Sequence, residues 1–134
     1  IVDPLDGTTN FVHGIPMYAV SIALARGSEI IVGVVYEINL DECYAAYEGA
    51  ASTCNGKPIR VSEADALGDS LVAAGFPYDD GGKLEEYLQL LKFFIKNSHG
   101  LRRLGSAAVD LCYVAAWKVT WSIIYNLTMS LPEH

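Results

Sequence analysis

Asp3-Pro4-Leu5-Asp6-Gly7-Thr8-Thr9-Asn10-Phe11 stands almost at the start of the chain and concentrates its chemistry. Two carboxylates lie three positions apart on a turn that Pro4 and Gly7 both rigidify, so both can face one point. Hard cations such as Mg2+ take oxygen ligands in near-octahedral order, and Asp3, Asp6 and the carbonyl of Leu5 are oxygens of that kind. Thr8-Thr9-Asn10 reads as the N-cap of a short helix through Phe11-Val12-His13. The amides of Gly7 and Thr8 then sit where a helix start favours an anion such as phosphate. Gly7 lets the backbone approach closely, and the Thr8 hydroxyl is placed to orient a metal-bound water for attack on phosphorus. A bare Asp-x-x-Asp-Gly is usually no more than a solvated turn, but nine specific residues narrow that reading. The acids do not alternate as an EF-hand requires, which argues against calcium sensing.

Outward from this loop, the apolar run Ala19–Ala25 is parted from Ile30–Tyr36 by Gly27-Ser28, and the pattern predicts a β-hairpin. Glu42–Tyr47 extends the antiparallel sheet, and Cys54-Asn55-Gly56-Lys57-Pro58 makes another tight turn. Ser70–Gly75 reads as a short buried strand and Phe76–Gly82 as a loop. Leu84, Tyr87, Leu88, Leu91, Phe94 and Ile95 recur at helical spacing opposite Lys83, Glu85, Glu86, Gln89, Lys92 and Lys96, which predicts an amphipathic helix whose stripe is core. Leu101–Leu104 reads as a strand, and Gly105-Ser106 opens a small-residue helix to about Ala116.

The 134 residues suffice for one core, and 51% hydrophobic content with a mean hydropathy of +0.25 describes a globular chain. Sixteen acidic against nine basic residues leave a net charge of −7, which disfavours nucleic acid and anionic membrane as partners. Cations between two negative partners would still admit a small phosphate ester. Cys43, Cys54 and Cys112 form no C-x-x-C pair and read as reduced thiols of a cytoplasmic protein. No apolar run is long enough to span a membrane. The chain starts without Met, at what reads as a strand end, and is expected to be part of a longer protein.

Ile1–Gly14 closely resembles the first signature of the inositol monophosphatases. Gly33-Val34-Val35-Tyr36, Asn55-Gly56-Lys57-Pro58-Ile59-Arg60-Val61-Ser62 and Arg102-Arg103-Leu104-Gly105-Ser106-Ala107-Ala108 are similar to later landmarks in the same order. The resemblance runs to about residue 116 and implies an α+β fold, a layered sandwich of helices and mostly antiparallel sheet. It also implies Mg2+-dependent, lithium-sensitive hydrolysis of a phosphate monoester, most simply an inositol monophosphate, by a homodimer. By the same resemblance Asp3, Asp6 and the Leu5 carbonyl are metal ligands, and Asp6, Gly7 and Thr8 meet the phosphate. Asp3, Asp6 and Thr8 are then the catalytic set, and Ser106 and Ala107 lie near the substrate.

In that family a Glu-Glu element would precede residue 1, and a Trp-Asp signature with a further metal-binding Asp is expected soon after residue 116. Trp117–Leu127 stands there instead: Tyr125-Asn126-Leu127 fits the approach, Trp-Asp does not follow, and a substrate-binding Glu expected near Ile124 is absent. Residues 1–116 thus read as the core and 117–134 as a divergent tail, as from a truncated or frame-shifted reading frame. Two Asp side chains alone leave divalent ions under-coordinated, so weak metal binding and slow turnover are expected.

The remaining polar residues read as structural: His13 packed under the loop, His99 as a cap or surface group, Arg102-Arg103 as a structural or interface pair, and Asp110 as a core-edge salt-bridge partner. Alternative functions are a related phosphatase acting on fructose bisphosphate or a nucleotide 3′-phosphate, a binding partner of bacterial transcription machinery, and an inert fragment.

Overall fold

Short turns break the first half of the chain into a meander. The structure, a computed structural model, describes residues 1–75 and 84–124, apart from the side chain of Ile124. The expected loop Phe76–Gly82, Lys83 and the stretch 125–134, with His134, lie outside the described residues. Strands β1 (Val2–Asp6), β2 (Ala19–Arg26), β3 (Glu29–Glu37), β4 (Glu42–Tyr47), β5 (Thr53–Cys54) and β6 (Lys57–Pro58) pair in chain order in one six-stranded sheet. Every pairing is antiparallel. At the β5–β6 turn Asn55 and Gly56 take φ of 49° and 75°, the left-handed pair that a two-residue hairpin demands. Between β3 and β4 the fully buried Glu37 accepts bonds from the Asn39 and Leu40 amides and from Asn39 Nδ2, so its charge is met inside the turn.

Between β1 and β2 lies helix α1 (Thr8–Val12), and after β6 a 3-10 turn (Leu67–Asp69) leads to β7 (Leu71–Gly75). Helix α2 (Leu84–Asn97), β8 (Gly100–Arg102), helix α3 (Ala107–Ala115) and β9 (Trp121–Ile124) follow. In this second, three-stranded sheet β7 lies between β8 and β9 and is parallel to both. A strand buried on both faces should read as a continuous apolar run, and Val72, Ala73 and Ala74 do. Successive side chains point to opposite faces. Ala73 joins Ala19, Tyr44, Val109, Tyr113 and Val119 in the main core, whereas Ala74 joins Tyr87 and Leu91 under α2. Helix α3 is therefore packed between the two sheets and α2 covers the far face of the smaller one. The result is the expected α+β layered sandwich, with β9 drawn from the stretch read as a divergent tail.

The stripe of α2 departs from expectation. Tyr87 and Leu91 are buried, but Leu84, Leu88 and Ile95 are exposed, at 49%, 45% and 63%. Among the described residues Ala74, Leu101 and Ile123 pack with Tyr87 and Leu91, so helical spacing marked an apolar stripe wider than the surface that these residues cover.

Trp117, just past α3, holds φ at 64° with its side chain 65% exposed. A left-handed conformation costs a side-chain-bearing residue about 1–2 kcal/mol, partly offset by the entropy that glycine loses on folding. Trp117→Gly is therefore expected to stabilise the chain by about 0.5–1 kcal/mol in equilibrium denaturation. A loss of stability would mean that the indole contributes more through its contacts than the backbone strain costs.

Candidate functional site

Strand β1 delivers Asp3, Leu5 and Asp6 to one edge of the large sheet, and Gly7 then turns the chain into α1. The helix cap is Gly7 itself, in the left-handed region at φ 87°, and Thr8, Thr9 and Asn10 are already helical. A side chain cannot replace it, because a Cβ on Gly7 would lie 2.9 Å from the Met17 carbonyl oxygen. The expected cap at Thr8–Asn10 is thus displaced to Gly7, since only glycine accepts both that dihedral and that contact.

Asp6 reaches across the fold to the start of α3. Its Oδ2 accepts the Ala108 amide at 2.7 Å and the Ser106 hydroxyl at 2.5 Å. Ser106 caps the same helix, its Oγ accepting from the Val109 amide at 3.3 Å. A carboxylate at a helix start meets unsatisfied amides and the positive end of the dipole, so Asp6 serves as a second cap supplied from another element. Asp3 is exposed and accepts the Leu5 amide through Oδ1 at 3.1 Å. Thr8 Oγ1 donates to the Leu5 carbonyl at 3.5 Å, a long bond. Asp3 Oδ2 and Asp6 Oδ1 take none of these bonds.

Asp3, Asp6 and Ala107 line a single hollow of about 410 Å³ with Ser21, Val35, Ala108, Leu111, Cys112 and Ala115. Leu5, Gly7 and Thr8 do not line it, nor does Ser106, which is buried and engaged with Asp6. Burial pushes the Cys112 thiol up to about 12, which keeps this wall of the hollow uncharged at neutral pH. Among the described residues no three His, Cys, Asp or Glu side chains gather to hold a metal ion.

Two residues that matter here were not singled out by the loop's pattern. Asn10 is buried and donates from Nδ2 to the carbonyls of Met17, at 2.8 Å, and Leu104, at 2.7 Å. Asp110, expected to form a core-edge salt bridge, is 2% exposed and its Oδ1 has no hydrogen-bond partner. Burial, and secondarily the charge of Asp6, push its carboxyl up to about 7. On the inner face of α3, beside Val109 and Tyr113, it forms none of the ion pairs found among the described residues. An acid at the fourth position after a cap serine is a weak signal, because the same spacing serves solvated helix starts.

His13 is exposed at the C-terminus of α1 rather than packed under the loop, because the five-residue helix ends there and turns outward. His99 is exposed too, its amide bonded to the Ser70 carbonyl. Arg102 is exposed and donates to the Leu101 carbonyl. No helix among the described residues is long and apolar enough to cross a membrane.

The sequence profile of the inositol monophosphatase family matches residues 1–128. An inositol-1-monophosphatase of Mesorhizobium japonicum is 45% identical over 119 residues, which cover 89% of this chain and 45% of that protein. A Nus factor SuhB of Pseudomonas aeruginosa is 40% identical over 118 residues, 87% of this chain and 44% of that one. Among solved structures, the extragenic suppressor protein suhB of Bartonella henselae matches with a TM-score of 0.84 at 44% identity, over 89% of this chain and 45% of that chain. The chain thus spans about half the length of the relatives it matches. With the profile match over nearly its whole length and with these levels of identity, the chain belongs to the inositol monophosphatase family.

Proposed function

We propose that the chain holds the metal- and phosphate-binding part of a phosphatase that cleaves phosphate monoesters of small polyols, inositol monophosphate first among them. The observation that carries this reading is the pair Asp3 and Asp6 on one hollow, each with one carboxylate oxygen outside the bonds that position it. Such hard oxygens fit Mg2+, which tolerates few protein ligands provided that it keeps several waters. Asp3 and Asp6, with the Leu5 carbonyl, would hold it, and when bound it would supply charge neutralisation at the phosphoryl group and acidify a water. The chain's own part is to orient: Ser106 and Ala108 aim Asp6, the Leu5 amide aims Asp3, and the Gly7 and Thr8 amides face an ester at the loop. Family membership and the name of the Mesorhizobium relative support the choice of substrate, and we extend the reading to a cytoplasmic homodimer.

Mn2+ titration of the intact chain followed by electron paramagnetic resonance tests this. Saturable binding that Mg2+ competes away, and that Asp3→Asn with Asp6→Asn abolishes, is expected; equal binding by the double variant would sink the assignment. Phosphate release from inositol monophosphate, fructose bisphosphate and a nucleotide 3′-phosphate then ranks the substrates.

A second reading is a partner in a transcription complex, supported by the name of the Pseudomonas relative. Partner binding that survives the double variant would favour it.

A further inference from the structure

Two short segments far apart in the chain, residues 6–10 and 104–108, are cross-linked at both of their ends. At one end Asp6 binds the Ser106 hydroxyl and the Ala108 amide. At the other, Asn10 Nδ2 donates to the Leu104 carbonyl at 2.7 Å while also holding the Met17 carbonyl at 2.8 Å. Between these ends lies Gly105, at φ 89°, where an added Cβ would come within 2.5 Å of Asn10 Nδ2 and 2.8 Å of its Oδ1. The amide side chain of Asn10 therefore lies flat against a bare backbone, with no slack at that contact. A hydrogen bond at one end of a closed ring restricts motion at the other, because each link removes freedom that the opposite link would otherwise have to remove alone.

We propose that Asn10 is a positioning residue: with Gly105 it locks the start of α3 against the acidic loop, and so sets where Asp6 presents its outward oxygen. The residue type suits the task. Both of its partners are carbonyls, which need N–H donors, and a carboxylate of the same shape would offer none and would bring a negative charge to Asp6. Asn10 is buried and does not line the hollow that holds Asp3 and Asp6; it acts through the aim of Asp6. Residues that orient a ligating carboxylate from behind alter ion affinity by about 10- to 100-fold when replaced. Only the ion-affinity part of the inference rests on the metal-binding reading above.

The test uses the intact chain and two readouts. In the metal-free protein, the Ala108 amide proton should resonate at low field because it bonds to a carboxylate, and Asp6→Ala marks the position without that bond. Asn10→Asp and Gly105→Ala should move the Ala108 resonance toward that of Asp6→Ala and weaken Mn2+ binding about 10-fold or more. Leu91→Ala, on the buried face of α2 and remote from the ring, serves as a control of general destabilisation that should do neither. Should Asn10→Asp not fold, Asn10→Ala removes the donors without adding charge and is read in its place. An unmoved Ala108 resonance in the ring variants, or an equal shift in Leu91→Ala, would overturn the proposal. Absence of Mn2+ binding by the wild-type chain would defeat the metal reading alone, since the Ala108 resonance still decides whether the ring is coupled.

Discussion

Asp6→Ala is expected to destabilise the metal-free chain by about 3 kcal/mol, although the residue lies in a loop assigned to chemistry rather than to the core. Its carboxylate accepts two bonds at the start of α3, and hydrogen bonds to a charged group are worth about 1.5–3 kcal/mol each. Truncation also strands the Ser106 hydroxyl, which is 1% exposed, without its acceptor. Relief of the repulsion between Asp6 and Asp110 offsets part of the loss. Asp6→Asn keeps an acceptor oxygen and gives up the charge, so a smaller loss of about 1–2 kcal/mol is expected. Urea unfolding monitored by circular dichroism measures both. A midpoint for Asp6→Ala equal to that of the parent would show that the link between β1 and α3 adds nothing to stability, and that the Asp6 site is held by other contacts.

Stability of the metal-free chain should fall as pH rises from about 4 to about 7, with Asp110 as the cause. Burial, then the charge of Asp6, raise its carboxyl to about 7 from an ordinary value of 3.8. The folded state therefore holds a proton that the unfolded state releases, so the neutral acid favours folding at low pH. That advantage is lost as pH climbs through the folded-state value. The slope should amount to roughly 2–4 kcal/mol across the window, at 1.36 kcal/mol per unit. Asp110→Asn keeps the shape and cannot ionise, so its stability should be flatter over the same range and exceed the parent's above pH 7. Chemical denaturation at half-unit pH steps, with chelator present, provides the comparison. Asp6→Asn should lower the Asp110 midpoint, because it removes the second cause of the shift. If parent and Asp110→Asn follow parallel curves, the Asp110 carboxyl is not the titrating group.

Local structure was legible wherever a few adjacent residues decide it. Asn55-Gly56 dictates a hairpin turn because its dihedrals are open to few other pairs. The apolar β-rich runs in 19–36, parted by Gly27-Ser28, and the run 42–47 dictate strands, and Ser106 before a small-residue run dictates a helix start. The Asp3–Asp6 loop with its bracketing Pro4 and Gly7 was visible for the same reason: its meaning is contained in one turn of chain.

What only the tertiary structure decided involves partners that sequence neighbours do not specify. Asp6 finds Ser106 and Ala108 at separations of 100 and 102 residues, and Asn10 finds Leu104 at 94, distances over which no periodicity carries information. Parallel pairing of β7 with β8 and β9 depends on helices crossing over the sheet, so the strand pattern alone is silent about it. The depth of Asp110 and the exposure of Leu84, Leu88 and Ile95 follow from which surfaces meet. An amphipathic stripe records that a face is apolar, and burial requires a second surface to cover it. Turn and helix chemistry is short-ranged and so is written in the residues themselves, whereas the aim of Asp6 and the charge state of Asp110 are set by packing, which exists only once the chain has closed on itself.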